Sequence, residues 1–238
     1  MIRITEIFYS LQGESNSVGL PTVFIRLTGC PLRCSYCDTT YAFHGGEKMT
    51  VEDIIMEVAR YETCYVTVTG GEPMAQGECV ELLDSLVDKG YSVSLETSGA
   101  IDLEQVNTLV VKVMDIKVPS SQEDHRNRYE NLAYLTKKDQ VKFVIGDEQD
   151  YEWSKEQIAK YKLPERCEVL FSPIMGRQDP TELANKILRD QLPVRFRCNY
   201  IKYFGVIPQA NNQQLNCEKE SNYLIIRWAR FYHCFSTC

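Results

Sequence analysis

Short apolar, β-branched runs recur along the chain, each closed by small or polar residues: 23–27, 65–69, 92–96, 109–117, 141–145 and 169–173, with a shorter 194–196 ending the series. Runs of this length and composition predict strands. Segments of helical period lie between several of them. Thr50 precedes a stripe of Val51, Ile54, Ile55, Val58 and Ala59; Cys79, Val80, Leu82, Leu83, Leu86 and Val87 form the next. Ser154-Lys155-Glu156-Gln157 has the form of a capping box, which predicts a helix start there. Asp179, Pro180 and Glu182 place an N-cap, a first-turn proline and an early acid in the order a helix start requires.

Strand–helix alternation predicts an α/β fold with a parallel sheet. The repeats are too few for a closed barrel, so the expected architecture is an incomplete, TIM-like (β/α) barrel. A doubly wound sheet is the alternative, weakened because no glycine-rich dinucleotide fingerprint follows the first strand. In such barrels the chemistry sits at the carboxyl ends of strands. The unusual residues fall there: a cysteine loop after 23–27, Thr69-Gly70-Gly71-Glu72-Pro73, Glu96-Thr97-Ser98-Gly99 and Asp115-Ile116-Lys117.

The chain has 238 residues, 44% apolar and 25% charged, with a net charge of −7. That is enough to bury a full core, and the acidic balance argues against a nucleic-acid scaffold. No apolar leader follows Met1 and no stretch reaches membrane-spanning length. Ten cysteines without an export signal are expected to be reduced thiols and metal ligands in a cytoplasm.

Cys30, Cys34 and Cys37 follow the first predicted strand in a C-x-x-x-C-x-x-C loop. Three thiolates suit an iron–sulfur cluster with one iron left for a small-molecule ligand. The alternative is a structural zinc, with Asp38 or His44 as the fourth ligand, although no second metal-binding pair follows in sequence. The paired glycines let a ligand approach the backbone, and Glu72 offers a carboxylate to an ammonium. Beside an open iron, that suits an amino-acid chelate such as S-adenosylmethionine.

The cysteine loop and the Gly-Gly-Glu-Pro strand end resemble the radical S-adenosylmethionine superfamily. Leu11-Gln12-Gly13-Glu14, Phe24-Ile25-Arg26-Leu27, Cys37-Asp38-Thr39 and Val68-Thr69-Gly70-Gly71-Glu72-Pro73 are similar, within it, to the 7-carboxy-7-deazaguanine synthase family of queuosine biosynthesis. The resemblance runs from about Ile4 to Phe196 and implies a partial barrel of the radical SAM type. It implies a carbon–nitrogen lyase that contracts 6-carboxy-5,6,7,8-tetrahydropterin to 7-carboxy-7-deazaguanine with loss of ammonia. A [4Fe–4S] cluster on Cys30, Cys34 and Cys37 and a catalytically used S-adenosylmethionine would serve it. Tyr36, Cys37, Asp38, Gly71, Glu72, Asp115 and Lys117 are then expected at S-adenosylmethionine. Leu11, Gln12, Gly13, Glu14, Arg26 and Thr69 are expected at the pterin, and Thr39 at Mg²⁺. The same resemblance implies a flavodoxin-like or ferredoxin-like electron donor and a homodimer.

Simpler readings stand beside these. Arg26 alternates with Ile25 and Leu27 and also suits a solvent-facing strand position. Gln12 and Glu14 suit a polar turn, Thr39 a helix cap, and Cys64, Cys79 and Cys167 small buried positions. The scattered His44, His125 and His233 offer no catalytic base. Two further functions remain open: an activase that makes a glycyl radical on a partner protein, and a non-catalytic metal module.

The tail departs from the resemblance, which predicts a barrel domain over 1–197 and an atypical segment over 198–238. Family members end with a Gln-Leu-His-Lys strand and a Trp-Gly-Asp-Thr-Pro-Gly-Lys-like closing segment. Residues 197–211 read otherwise. Permitted codons for 198–211, reread in a shifted frame, spell Gln-Leu-His-Lys-Ile-Phe-Trp-Gly-Asp-Thr-Pro-Gly-Lys, and Asn212 then allows a stop. A frame change near Phe196 is therefore expected. Cys198, Cys217, Cys234, Cys238, Tyr223 and Trp228 would then be accidental.

Overall fold

The computed structural model describes residues 1–198 and 209–210. Among these residues ten strands form one sheet: β1 Ile2–Leu11, β2 Pro21–Leu27, β3 Glu47–Met49, β4 Tyr65–Gly70, β5 Ser92–Thr97, β6 Val111–Asp115, β7 Gln140–Ile145, β8 Glu168–Pro173, β9 Arg195–Phe196 and β10 Gln209–Ala210. Their order is β10-β1-β2-β4-β5-β6-β7-β8-β9, with β3 also on β1. From β2 to β9 every pairing is parallel, while β1 runs antiparallel to β2, β3 and β10. The order does not return on itself, as an incomplete barrel requires.

Side-chain parity explains the layers, because successive residues of a strand face opposite sides. Val23, Ile25 and Leu27 of β2, Val66 and Val68 of β4, Val93 and Leu95 of β5, and Phe143 and Ile145 of β7 enter one apolar core. That core lies under α1 Val51–Val58, α2 Cys79–Asp88, α3 Glu148–Tyr161, α4 Leu163–Arg166 and α5 Pro180–Arg189. The residues between them face the other way. Arg26, Thr69, Glu96, Asp115 and Lys142 line a cavity inside the curve of the sheet.

The helix starts follow local chemistry. Thr50 accepts from Asp53 N while Asp53 returns the bond, a complete capping box. Asp179 caps α5 by accepting from Glu182 N, with Pro180 in the first turn. The expected box at Ser154 is corrected. α3 begins at Glu148 under Asp147, whose side chain accepts from Asp150 N, so Ser154 and Gln157 lie buried in mid-helix. One further expectation changes. The run 109–117 shortens to β6, with Leu109 68% exposed. The β5–β6 connection holds no α-helix, its Leu103, Val106 and Val110 filling the core from irregular chain. The antiparallel β1 and β3 went unread because neither gives a short, uniformly apolar run. The tail expectation lies outside the described residues apart from Cys198 and the backbone of 209–210.

Phe171 of β8 is fully buried, edge-on to Phe143 and Tyr151. Phe171→Ala removes both contacts and leaves a cavity. We expect a loss of about 3–5 kcal/mol, read as a lowered urea midpoint at unchanged slope. A loss under about 1 kcal/mol would mean the aromatic cluster is not part of the core.

Candidate active site

The cysteine loop is fixed at both ends. Gly71 N donates to Leu27 O (3.2 Å) and Glu72 N to Gly29 O (2.8 Å), so the end of β4 lies directly against the chain leaving β2. A Cβ on Gly71 would come within 2.8 Å of Cys30 Cβ and nearer still to the Gly29 carbonyl. The paired glycines are thus required by this close packing. Beyond Cys30, Ser35 N and Oγ donate to Ser121 O (3.0 Å) and Ser120 O (2.6 Å). Arg33 bridges Cys30 O and Leu32 O and stacks on Phe43 at 4.3 Å.

Cys30, Cys34 and Cys37 are free, half-buried thiols lining one cavity of about 810 Å³. Burial pushes the Cys34 thiol up to about 11, so a metal must displace its proton. Three soft donors around one opening suit an iron–sulfur cluster. Among the described residues, no three Cys, His, Asp or Glu side chains converge on one point for a single ion.

The expected cofactor side is assembled with one exception. Tyr36, Cys37, Asp38, Gly71, Asp115 and Lys117 reach the cavity. Asp115 Oδ2 pairs with Lys117 Nζ at 3.0 Å, whereas Asp115 Oδ1 and Tyr36 OH are buried without a hydrogen-bond partner among the described residues. Orphaned polar atoms beside the thiols are what a hydroxyl-bearing ligand satisfies. Glu72 is the correction. Its carboxylate is fully buried and accepts from Met74 N, Thr97 Oγ1, Ser98 N and Ser98 Oγ. It ties β4 to β5 instead of facing an ammonium, which leaves the backbone of Gly70 and Gly71 at the cavity wall.

On the other side lie Leu11, Gln12, Gly13, Glu14, Arg26 and Thr69. Gln12 is 2% exposed; its amide donates to Thr67 Oγ1 (2.9 Å) and its oxygen accepts from Glu14 N (3.1 Å), so it shapes the floor and places Glu14. Arg26 faces inward, not to solvent. Its Nε donates to Glu6 Oε1 (2.7 Å), and its guanidinium lies near the rings of Phe8 and Tyr41. Thr39 donates to Asp38 Oδ1 at 2.8 Å, putting two oxygens together at the mouth. Of the remaining thiols, Cys79 and Cys167 are buried as expected, but Cys64 is exposed, since it lies before β4 begins.

Two charged residues that sequence reasoning gave no role, Glu96 at a noted strand end and Lys142, also face this space. Glu96 accepts from Thr69 Oγ1 (3.2 Å) and Gln12 Nε2 (3.4 Å), and Lys142 Nζ meets Glu14 Oε2 at 2.6 Å. The available signal was a lone charge inside each strand run, Ser94-Leu95-Glu96 and Val141-Lys142-Phe143.

A profile of the radical SAM superfamily matches residues 24–163. The 7-carboxy-7-deazaguanine synthase of Koribacter versatilis is 44% identical over 209 residues, covering 82% of this chain and 92% of that relative. The Chlorobaculum tepidum protein of the same name is 40% identical over 205 residues, covering 85% and 93%. This chain belongs to the 7-carboxy-7-deazaguanine synthase family. The crystal structure of QueE from Escherichia coli has the same fold, with a TM-score of 0.70 at 24% identity over 83% of this chain and 93% of that one. Membership of this radical SAM family implies a [4Fe–4S] cluster and S-adenosylmethionine. No helix among the described residues is long and apolar enough to cross a membrane.

Burial first, then the Glu14 carboxylate, pushes the Glu96 carboxyl above its ordinary value; Lys142, Thr69 and Arg26 only partly oppose this. Between the ordinary carboxylate value of about 4.3 and the raised folded value, the folded chain keeps a proton that the unfolded chain has released. Stability therefore falls as pH rises through that window. Glu96→Gln abolishes this loss, so its melting temperature should gain on wild type as pH rises through that window. A difference constant across that range would contradict the burial argument.

Proposed function

We propose that this chain converts 6-carboxy-5,6,7,8-tetrahydropterin to 7-carboxy-7-deazaguanine with loss of ammonia, the carbon–nitrogen lyase step its family performs in queuosine biosynthesis. One observation carries the reading beyond family membership: a single cavity joins the three thiols to Gln12, Glu14, Arg26, Thr69 and Glu96. A space of about 810 Å³ walled by the barrel suits a small molecule better than a loop of a partner protein.

Cys30, Cys34 and Cys37 would hold the cluster, and bound S-adenosylmethionine would supply the radical that removes hydrogen from the pterin. The chain's own residues bind and orient. Asp115 Oδ1 accepts from the nucleoside, and the backbone at Gly70 and Gly71 meets the methionine end. Arg26 offers a planar cation to the pterin carboxylate. Glu14 and Glu96 accept from ring N–H donors. Thr39, beside Asp38, supplies an oxygen to Mg²⁺, a hard cation content with few protein ligands. A flavodoxin-like or ferredoxin-like electron donor and a homodimer follow from the resemblance.

Anaerobically reconstituted protein should hold about four irons per chain. It should cleave S-adenosylmethionine under reductant and yield the ring-contracted product by mass spectrometry, faster with Mg²⁺. Cys34→Ala should keep the fold and lose cleavage. Stoichiometric zinc without cleavage would overturn the assignment; cleavage without pterin turnover would overturn the substrate.

For the tail we propose that the chain leaves its ancestral frame near Phe196, with 198–238 as the atypical segment. β9 carries Phe196, and Arg197 N still donates to Phe171 O, which supports a barrel that runs through Arg197. The gene around codons 196–212 should be rereadable as the missing closing segment, and restoring that segment should improve turnover of the pterin. A DNA sequence that cannot be so reread ends the proposal.

A further inference from the structure

Lys142 is a buried ammonium that the family assignment does not explain. It projects from the middle of β7 into the barrel, its side chain 14% exposed. Nζ lies 2.6 Å from Glu14 Oε2 and 3.7 Å from Asp115 Oδ2. Burying a lysine is costly unless it is paired. The barrel does not need a charge there for packing, since Leu170, its register partner on β8, and Val144, two residues on, fill equivalent space with hydrocarbon.

The two contacts are unequal. Asp115 is also held by Lys117 at 3.0 Å, and both sit toward the thiols. Glu14, in the loop after β1, is the nearer partner, and Gln12 fixes its backbone from the other side. Without a cation between them, Glu14, Glu96 and Asp115 would place three carboxylates around one cavity, where like charges repel. Burial alone would pull Lys142 down, yet Glu14, Asp115 and Glu96 outweigh it and the net direction is up, so the ammonium stays charged.

We propose that Lys142 is a positioning residue for the substrate, its ammonium aiming the Glu14 carboxylate at the ring N–H donors of the pterin. This rests on the cavity taking a pterin. The adjacent N–H groups of a 2-amino-4-oxopyrimidine ring need an ionised acceptor fixed in direction, and a flexible glutamate after a strand end has no such direction unless a partner sets it.

The test uses reconstituted holoenzyme and compares Lys142→Met, Lys142→Arg and Glu14→Gln. Wild-type turnover of 6-carboxytetrahydropterin checks the functional reading by itself; ratios between variants check this inference. Lys142→Met should raise the pterin KM about tenfold or more. The perturbation that S-adenosylmethionine produces in the reduced cluster's electron paramagnetic resonance should keep the same concentration dependence. Lys142→Arg should recover most of the KM loss. Glu14→Gln should reproduce the rise, and the double variant should be no worse than Glu14→Gln alone, because the lysine acts through that carboxylate. A purely structural lysine would instead lower the melting temperature and leave KM within about twofold. That result, an unchanged KM in Glu14→Gln, full additivity in the double variant, or an equal loss of S-adenosylmethionine affinity would each overturn the proposal. Glu14→Gln keeps it testable should Lys142→Met fail to fold.

Discussion

Every parallel strand of this barrel must satisfy two environments at once, and strand parity is the constraint that allows it. One set of alternate side chains packs beneath the helices and supplies the burial that stabilises the chain. The other set is released from packing and carries Arg26, Thr69, Glu96, Asp115 and Lys142 into a common space. A one-residue slip in any strand would drive its charges into the hydrocarbon layer and its valines into the cavity. The hydrophobic core therefore does more than stabilise. By fixing register, it sets which polar atoms can meet.

That space has its own electrostatic logic. Glu14, Glu96 and Asp115 are balanced by Lys142 and Lys117, all within the cavity wall. Neutral hydroxyls finish the arrangement: Thr67 bonds Ser94 at 2.8 Å, and Thr69 bonds Glu96. Such a network is worth keeping only if its members are met, since an unpaired buried charge costs more than a paired one returns. Among the described residues, the unmet atoms of the cavity wall are Asp115 Oδ1 and Tyr36 OH beside the thiols and Ser10 Oγ near the end of β1.

Much of this was legible in the sequence because it is local. The apolar runs marked the parallel strands, Thr50 and Asp179 marked helix starts through short-range capping, and cysteine spacing marked the metal loop. What was not legible depends on distant partners. Ser154 has the spacing of a cap but lies inside α3, because Asp147 offers an earlier start and the core takes Tyr151 and Ile158 from the same turns. Glu72 sits in a recognisable motif, yet only the arrival of Thr97 and Ser98 from β5 decides what its carboxylate does. Lys142 reads as an ordinary strand lysine until Glu14, far away in sequence, is brought against it.

The same reasoning changes the meaning of the Gly-Gly-Glu segment. Its glycines allow β4 to touch the chain leaving β2, and its glutamate grips the end of β5, so three strand ends are joined at the point where the cysteine loop begins. A loop anchored in this way inherits its position from the sheet. With its acceptor capacity taken by internal donors, Glu72 has little left for an ammonium. Binding at that place then falls to the backbone, which a side-chain substitution reaches only indirectly. A loss of cofactor binding on changing Glu72 would accordingly report displaced strand ends, and it should be accompanied by a loss of stability that a mere ligand contact would not cause.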